Sequence, residues 1–189
     1  MTVASILWRR LDTPGHDACR LEGSAAGWRL DGTAVFREGG LPARLDYAVS
    51  GDSAWQTQHG QVRGWIGARS IEISVARTAA GVWTLNGVAV EGLAHCVDLD
   101  FGFTPATNLL QLRRLALAEG QVVDAPVAWL DVSTGVLDVL VQRYERRGQT
   151  TYWYEAPRFN YAALLEVTAI GFVRRYPGLW EADSDADPE

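Results

Sequence analysis

The chain has no lysine, only two cysteines and no apolar run long enough to cross a membrane. The two cysteines, Cys19 and Cys96, are typical of the reduced, structural thiols of a cytoplasmic protein. The short apolar run at the N-terminus is followed by Arg9 and Arg10, whereas a signal peptide places its basic residues first. We therefore expect a cytoplasmic protein without a transmembrane segment.

All basic residues are arginines, and the acidic residues are concentrated at the C-terminus. The formal net charge is −6, but residues 181–189 contribute five acids and no base. The rest of the chain is close to neutral, which argues against a nucleic-acid partner and against a polybasic membrane patch. The lack of lysine is most simply a compositional bias, although arginine also binds anions better than lysine does. Nothing in the composition indicates an oligomeric state.

The sequence also lacks the motifs of the common hydrolases and of zinc sites. It contains neither a Gly-x-Ser-x-Gly elbow nor a His-Glu-x-x-His helix, and no histidine has an evident nucleophile partner. His95 and Cys96 are adjacent, and adjacent residues on a strand point to opposite faces, so they do not easily share one metal ion. We expect no metal, no cofactor and no catalytic residue.

Apolar alternation with a period of two is abundant, and this pattern predicts strands with one buried face. The cleanest example runs from Trp28 to Phe36. Asn86-Gly87 predicts a tight hairpin, because this pair supplies the positive φ angles of a type I′ turn. Only residues 108–118 approach a helical period. We therefore predict an all-β protein with little helix.

The chain shows no repeat and no linker, which favours a single domain. We predict that this domain covers residues 1–180. Residues 181–189 are predicted to form a disordered acidic tail, since they offer no apolar anchor. Ser50-Gly51-Asp52 is expected to form a loop, and Pro177-Gly178 is expected to end the regular structure.

The densest set of polar groups lies within residues 95–115. Alternation places Asp98 and Asp100 on one face of a short strand, with side chains about 7 Å apart. Such a pair can act as acid and base, bind a hard cation, accept hydrogen bonds from sugar hydroxyls or pair with arginine. The simplest interpretation is structural, because Asp side chains readily bond the backbone of a following turn. Of the adjacent Arg113 and Arg114, only one would face a cavity on a strand.

This stretch also carries a family resemblance. Its residues are Asp98-Leu99-Asp100-Phe101-Gly102-Phe103-Thr104-Pro105-Ala106-Thr107-Asn108, followed by Leu112-Arg113-Arg114-Leu115. They resemble the signature of the "Putative glycolipid-binding" family of bacterial proteins. Further matches are Leu7-Trp8-Arg9-Arg10, Asp52-x-x-Trp55, Trp83-x-x-Asn86-Gly87, Gln142-Arg143-Tyr144, Gly171-Phe172-Val173 and Tyr176-Pro177-Gly178-Leu179-Trp180.

The resemblance implies a spiral β-roll, in which a strongly bent antiparallel sheet forms a half-barrel. This shape is similar to that of bacterial lipoprotein-localisation factors, which hold acyl chains in a concave apolar sheet. The resemblance also implies that the partner is a glycolipid or another amphipathic small molecule, which is bound in a concave groove without catalysis. The candidate ligand-binding residues are aromatic and polar: Trp55, His59, Trp83, Asp98, Asp100, Arg113, Tyr144 and Tyr154.

Two alternatives of other functional classes stay open. The first is a hydrolase of a carbohydrate or ester that uses Asp98 and Asp100. The second is a protein-interaction module whose aromatic surface binds another protein.

Overall fold

The computed structural model describes residues 1–183. Apart from the helix α1 at Asn108–Leu115 and a 3-10 turn at Pro157–Phe159, its regular structure consists of strands. The first eight are β1 Thr2–Arg10, β2 Gly15–Ser24, β3 Gly27–Glu38, β4 Leu41–Asp52, β5 Thr57–Ile66, β6 Arg69–Arg77, β7 Trp83–Leu85 and β8 Val88–Val90. The others are β9 Leu99–Phe101, β10 Val122–Asp124, β11 Val127–Asp131, β12 Val136–Leu140, β13 Arg143–Arg146, β14 Thr151–Ala156, β15 Tyr161–Val167, β16 Val173–Tyr176 and β17 Trp180–Ala182.

Fourteen of these strands form one antiparallel sheet in the order β10-β13-β14-β15-β16-β17-β1-β2-β3-β4-β5-β6-β7-β8. The chain starts in the middle of the sheet, builds outward to β8, and returns from the opposite edge until β17 pairs with β1. The sheet is strongly curved and does not close into a barrel. The prediction of an all-β fold with a strongly bent antiparallel sheet is therefore confirmed.

The remaining three strands form a small sheet in the order β12-β11-β9, and together with α1 they make an inner layer. On one side, Leu99 occupies the space beside Gly60 of β5, where an added Cβ would lie 2.1 Å from the Leu99 Cδ2 atom. On the other side, the Asn108 side chain donates a hydrogen bond of 2.8 Å to the Tyr144 hydroxyl of β13. The inner layer contacts both halves of the curved sheet, so the chain's own residues fill much of its concave face.

The Asn-Gly hairpin forms as predicted, with φ angles of 50° at Asn86 and 81° at Gly87 between β7 and β8. The expected loop at Ser50-Gly51-Asp52 does not form, because β4 pairs with β3 as far as Asp52. Gly51 instead allows the Trp28 ring to pack closely against the backbone of β4, since a Cβ at this position would lie 2.3 Å from the ring.

The segment that approaches a helical period does form the helix α1, in which the residues from Asn108 to Leu112 are all buried. It ends at Ala116, which adopts a left-handed conformation with φ of 44°. Within residues 1–183, no helix is both long and apolar enough to cross a membrane.

The expected end of regular structure at Pro177-Gly178 is wrong, because the chain turns there and forms β17, which pairs with both β16 and β1. The turn is closed by a hydrogen bond of 2.9 Å from the Leu179 N–H to the Tyr176 carbonyl. β17 therefore includes two residues of the predicted tail. The tail residues 184–189 lie outside the described residues.

Candidate functional site

A pocket of about 380 Å³ opens between the inner layer and strands β14 to β17, and we call it the tyrosine pocket. Seven aromatic residues line it: Phe101, Trp129, Tyr154, Phe159, Tyr161, Tyr176 and Trp180. Its polar lining comes from Asp100, Thr104 and Asn108 of the signature stretch. Mostly apolar walls with a few convergent polar groups are typical of small-molecule sites.

The aromatic side chains of the pocket contact one another. The Tyr154 ring centroid lies 5.6 Å from that of Tyr176 and 6.2 Å from that of Tyr161. Phe159, which is 50% exposed, packs edge-on against Trp129 at 5.4 Å. The Trp129 indole can pack over the end of β9 because residue 102 is glycine, where a Cβ would lie 2.6 Å from the indole Nε1 atom.

Asp100 is the one carboxylate in the pocket lining, and it is almost fully buried. It accepts hydrogen bonds of 2.5 Å from the Thr107 hydroxyl and 2.8 Å from the Gln142 amide. Gln142 in turn accepts from the Tyr144 hydroxyl at 3.2 Å. Burial raises the Asp100 pKa to about 6, although the bonds from Thr107 and Gln142 oppose the shift.

A second buried carboxyl group, that of Asp17 in β2, reaches the same loop from the large sheet. It accepts hydrogen bonds from the Tyr47 hydroxyl at 3.0 Å and from the Thr104 hydroxyl. Burial raises the Asp17 pKa to about 7, partly opposed by these two bonds. Thr104 bonds Asp17 and Thr107 bonds Asp100, so two carboxyl groups hold the loop that borders the pocket.

Asp98 has a different role, because it forms a salt bridge with α1. Arg114 donates from Nε to Asp98 Oδ1 at 2.9 Å and from Nη2 to Oδ2 at 2.6 Å. Burial raises the Asp98 pKa, and the hydrogen bonds from Arg114 oppose this shift. Both Asp98 oxygens are occupied and the side chain is fully buried, so this carboxylate stabilises the position of the helix.

A larger groove of about 980 Å³ crosses the outer face of β1 to β4. Two of its carboxylates are paired with arginines of their own strands: Asp31 with Arg29 at 2.7 Å and Asp46 with Arg44 at 2.6 Å. The groove is lined largely by solvent-facing strand residues and has no cluster of aromatic rings. The tyrosine pocket, although smaller, is therefore the better candidate for a specific small-molecule site.

Comparison with known proteins now identifies the family. The family model described as "Putative glycolipid-binding" matches residues 5–182. The chain belongs to this family. Among solved structures, it is similar to the crystal structure of a DUF1089 family protein from Pseudomonas aeruginosa, with a TM-score of 0.78 and 24% identity. That match covers 88% of this chain and 91% of the other, and it shows a shared fold. No curated protein matches the chain.

In this member of the family, the candidate residues fall into separate groups. Asp100 and Tyr154 line the tyrosine pocket, and Tyr144 packs behind it with its ring 5.0 Å from Tyr154. Asp98 pairs with Arg114, outside the pocket lining.

The other candidate residues lie elsewhere. Arg113 is exposed and stacks on Trp55 at 5.0 Å, and Trp55 stacks on Trp28 at 5.1 Å. Trp83 is buried and donates from its indole to the Cys96 carbonyl at 3.1 Å. His59 is exposed and lines a groove between β4, β5 and β6, away from the tyrosine pocket.

Most of the pocket's aromatic residues were absent from the sequence-based selection. The missed residues are Phe101, Trp129, Phe159, Tyr161, Tyr176 and Trp180. A usable signal existed for three of them, because Phe101 belongs to the signature stretch, and Tyr176 and Trp180 belong to the motif Tyr176-Pro177-Gly178-Leu179-Trp180 of the family resemblance. Trp129 and Phe159 carry no such signal, since they reach the pocket only through the pairing of distant strands.

The arrangement can bind a small molecule but offers little for acid–base catalysis. Asp98 cannot serve as a free acid or base while Arg114 occupies both of its oxygens. Asp100 faces the pocket without a histidine, cysteine or second carboxylate in the lining. Among residues 1–183, no three metal-ligating side chains converge on one point.

Proposed function

We propose that this protein binds an amphipathic ligand, such as a glycolipid, in the tyrosine pocket without catalysing a reaction. The observation that carries the proposal is the convergence of seven aromatic residues and one buried carboxylate on a single pocket. Aromatic faces pack against sugar rings and alkyl chains, while carboxylate and amide oxygens accept bonds from polar head groups. The family description supports the same ligand class.

The size of the pocket limits how much of the ligand it holds. Its volume of about 380 Å³ is near the lower end of the roughly 300–1,000 Å³ of small-molecule sites. It therefore suits a head group and the first part of a chain, while the rest of the ligand leaves past the half-exposed Phe159. The inner layer fills the concave face where the resemblance implied a groove for whole acyl chains.

The test is to block the pocket with one side chain. Ala156 is 2% exposed and lines the pocket, so Ala156→Phe fills part of its volume. Ala162 is exposed on the neighbouring strand β15, so Ala162→Phe adds the same ring outside the pocket. We expect native mass spectrometry to show bound octyl glucoside on the wild type and on Ala162→Phe, and none on Ala156→Phe.

Thermal unfolding of both variants checks that each is folded before binding is compared. The proposal fails if folded Ala156→Phe binds octyl glucoside as well as the wild type does. It also fails if the wild type binds neither octyl glucoside nor any lipid from a cell extract.

A further inference from the structure

The electrostatics of the tyrosine pocket narrow the choice of ligand. Asp100 is the only residue with a formal charge among those that line it, and the lining contains no arginine or histidine. Both hydrogen-bond donors to its carboxylate, Thr107 and Gln142, are uncharged. The neighbouring Asp98 has its charge balanced by Arg114. An ionised Asp100 is therefore a buried negative charge that a bound cation would stabilise.

Two arginines lie near the pocket's tryptophans, and each forms an ion pair with an aspartate. Arg10 lies 5.3 Å from the Trp180 ring and bonds Asp12 at 2.7 Å, while its buried Nη1 atom has no hydrogen-bond partner among the described residues. Arg158 lies 5.0 Å from the Trp129 ring and bonds Asp138 at 2.7 Å. Neither lines the pocket, so neither provides a partner for an anionic head group inside it.

The aromatic walls of the pocket, like Asp100, favour a positively charged ligand. The faces of tyrosine and tryptophan rings carry partial negative charge and attract ammonium groups, most strongly where water is excluded. Tyr154, Tyr161 and Tyr176 form a contiguous group, with centroids 5.4 to 6.2 Å apart, in the same pocket as Asp100. Several aromatic rings around one carboxylate form a cage suited to an organic cation.

We propose that the head group bound in the tyrosine pocket is an organic ammonium group, held against the tyrosine rings and Asp100. An amino sugar or a quaternary ammonium lipid carries such a group, whereas phosphate, sulfate and carboxylate head groups are excluded. This inference rests on the proposed binding function and specifies its ligand class.

The test compares three amphiphiles with the same chain, each titrated into the protein by calorimetry below its critical micelle concentration. The three are octyltrimethylammonium, octyl glucoside and octyl sulfate. We expect the cation to bind at least about tenfold more tightly than the neutral glucoside, which corresponds to about 1.4 kcal/mol. Octyl sulfate should not bind. Tetramethylammonium, which lacks the chain, should bind more weakly than octyltrimethylammonium because it buries less apolar surface.

Asp100→Asn keeps the shape of the side chain and removes its charge. We expect this variant to lose the preference for the cation, so that it binds octyltrimethylammonium no more tightly than octyl glucoside. Asp124→Asn is the control, because it removes an exposed carboxylate outside the pocket lining, whose ion-pair partner Arg143 also lies outside that lining. It should retain the preference for the cation.

A pH titration of the wild type tests the same inference without a variant. Burial raises the Asp100 pKa to about 6, so the carboxyl group becomes protonated between pH 7.5 and pH 5. Of the groups near it, Asp98 is balanced by Arg114, and burial keeps Tyr144, Tyr154 and Tyr176 neutral by raising their pKa values. Asp17, which bonds the pocket-lining Thr104, titrates in the same range because burial raises its pKa to about 7, so the titration is also run on Asp17→Asn. In both proteins, cation affinity should fall about tenfold relative to glucoside affinity as the pH drops over this range.

The outcomes separate the two proposals. If octyl glucoside binds in the pocket and the cation binds no more tightly, the ammonium inference fails and the binding function stands. If octyl sulfate binds best, the charge argument is wrong. If none of the three amphiphiles binds, the ammonium inference fails, and the binding function fails with it unless a lipid from a cell extract binds. A cation preference that Asp124→Asn loses and Asp100→Asn keeps would also overturn the assignment to Asp100.

Discussion

Replacing Asp17 by asparagine removes a buried carboxyl group that the fold holds between Tyr47 and Thr104. The asparagine keeps the size of the side chain and an oxygen that accepts from these hydroxyls, but it cannot ionise. The change therefore isolates the cost of the buried negative charge. Because Thr104 lines the tyrosine pocket, the same change also probes how the pocket's loop is held.

The magnitude follows from the pKa of the group. Burial raises the Asp17 pKa from 3.8 to about 7, and each unit corresponds to about 1.4 kcal/mol. The folded protein holds this proton more tightly than the unfolded chain does. The contribution of Asp17 to stability is therefore most favourable below pH 4 and is lost as the pH rises through 7. Asp17→Asn does not undergo this loss. The unfolding free energy of the variant relative to that of the wild type should therefore increase by about 3–4 kcal/mol as the pH is raised from 4 to 8.

The assay is urea unfolding of both proteins at pH 4, 6 and 8, followed by tryptophan fluorescence. Asp100 titrates in both proteins, so its effect largely cancels in the difference between them. Asp138→Asn is a control at an exposed carboxyl group whose pKa is lowered by Arg158, and it should show no such gain. A stability difference between Asp17→Asn and the wild type that does not change with pH would refute the reasoning.

Two further predictions concern the packing of the inner layer. Arg114→Gln leaves the buried Asp98 unpaired and should lower the unfolding free energy by about 3–5 kcal/mol. Its control, Arg113→Gln, removes an exposed cation–π contact worth about 1 kcal/mol or less. Equal losses of unfolding free energy in urea would contradict the assignment of the salt bridge. Gly60→Ala places a methyl group 2.1 Å from Leu99 Cδ2 and should cost about 1–3 kcal/mol; an unchanged unfolding midpoint would show that the inner layer does not press on β5 there.

The fold could be predicted from local patterns because most of its strands carry their own signal. The alternation in β3 and the Asn86-Gly87 turn depend on neighbouring residues, so they can be recognised in the sequence alone. The two local errors had local causes as well. Gly51-Asp52 and Pro177-Gly178 both have the composition of turns. Gly51 instead lies within β4, where it makes room for the Trp28 ring. Pro177-Gly178 does form a turn, but the chain continues from it into β17.

The candidate site was harder to predict because it depends on contacts between distant residues. Strand alternation placed Asp98 and Asp100 on a common face, and both do bond α1 or the residue before it. It could not show that Arg114 pairs with Asp98, because that choice depends on the orientation of a helix. Trp129 and Tyr176 meet Asp100 only after β11 joins the inner layer and β16 joins the large sheet.

The central claim is that the tyrosine pocket is the ligand site, and a crystal structure of the protein grown with octyltrimethylammonium tests it most directly. We predict electron density for the ammonium group in the pocket, against the Tyr154 and Tyr176 rings and next to the Asp100 carboxylate, with the chain leaving past Phe159. Density in the outer groove of β1 to β4, with the tyrosine pocket empty, would contradict the claim.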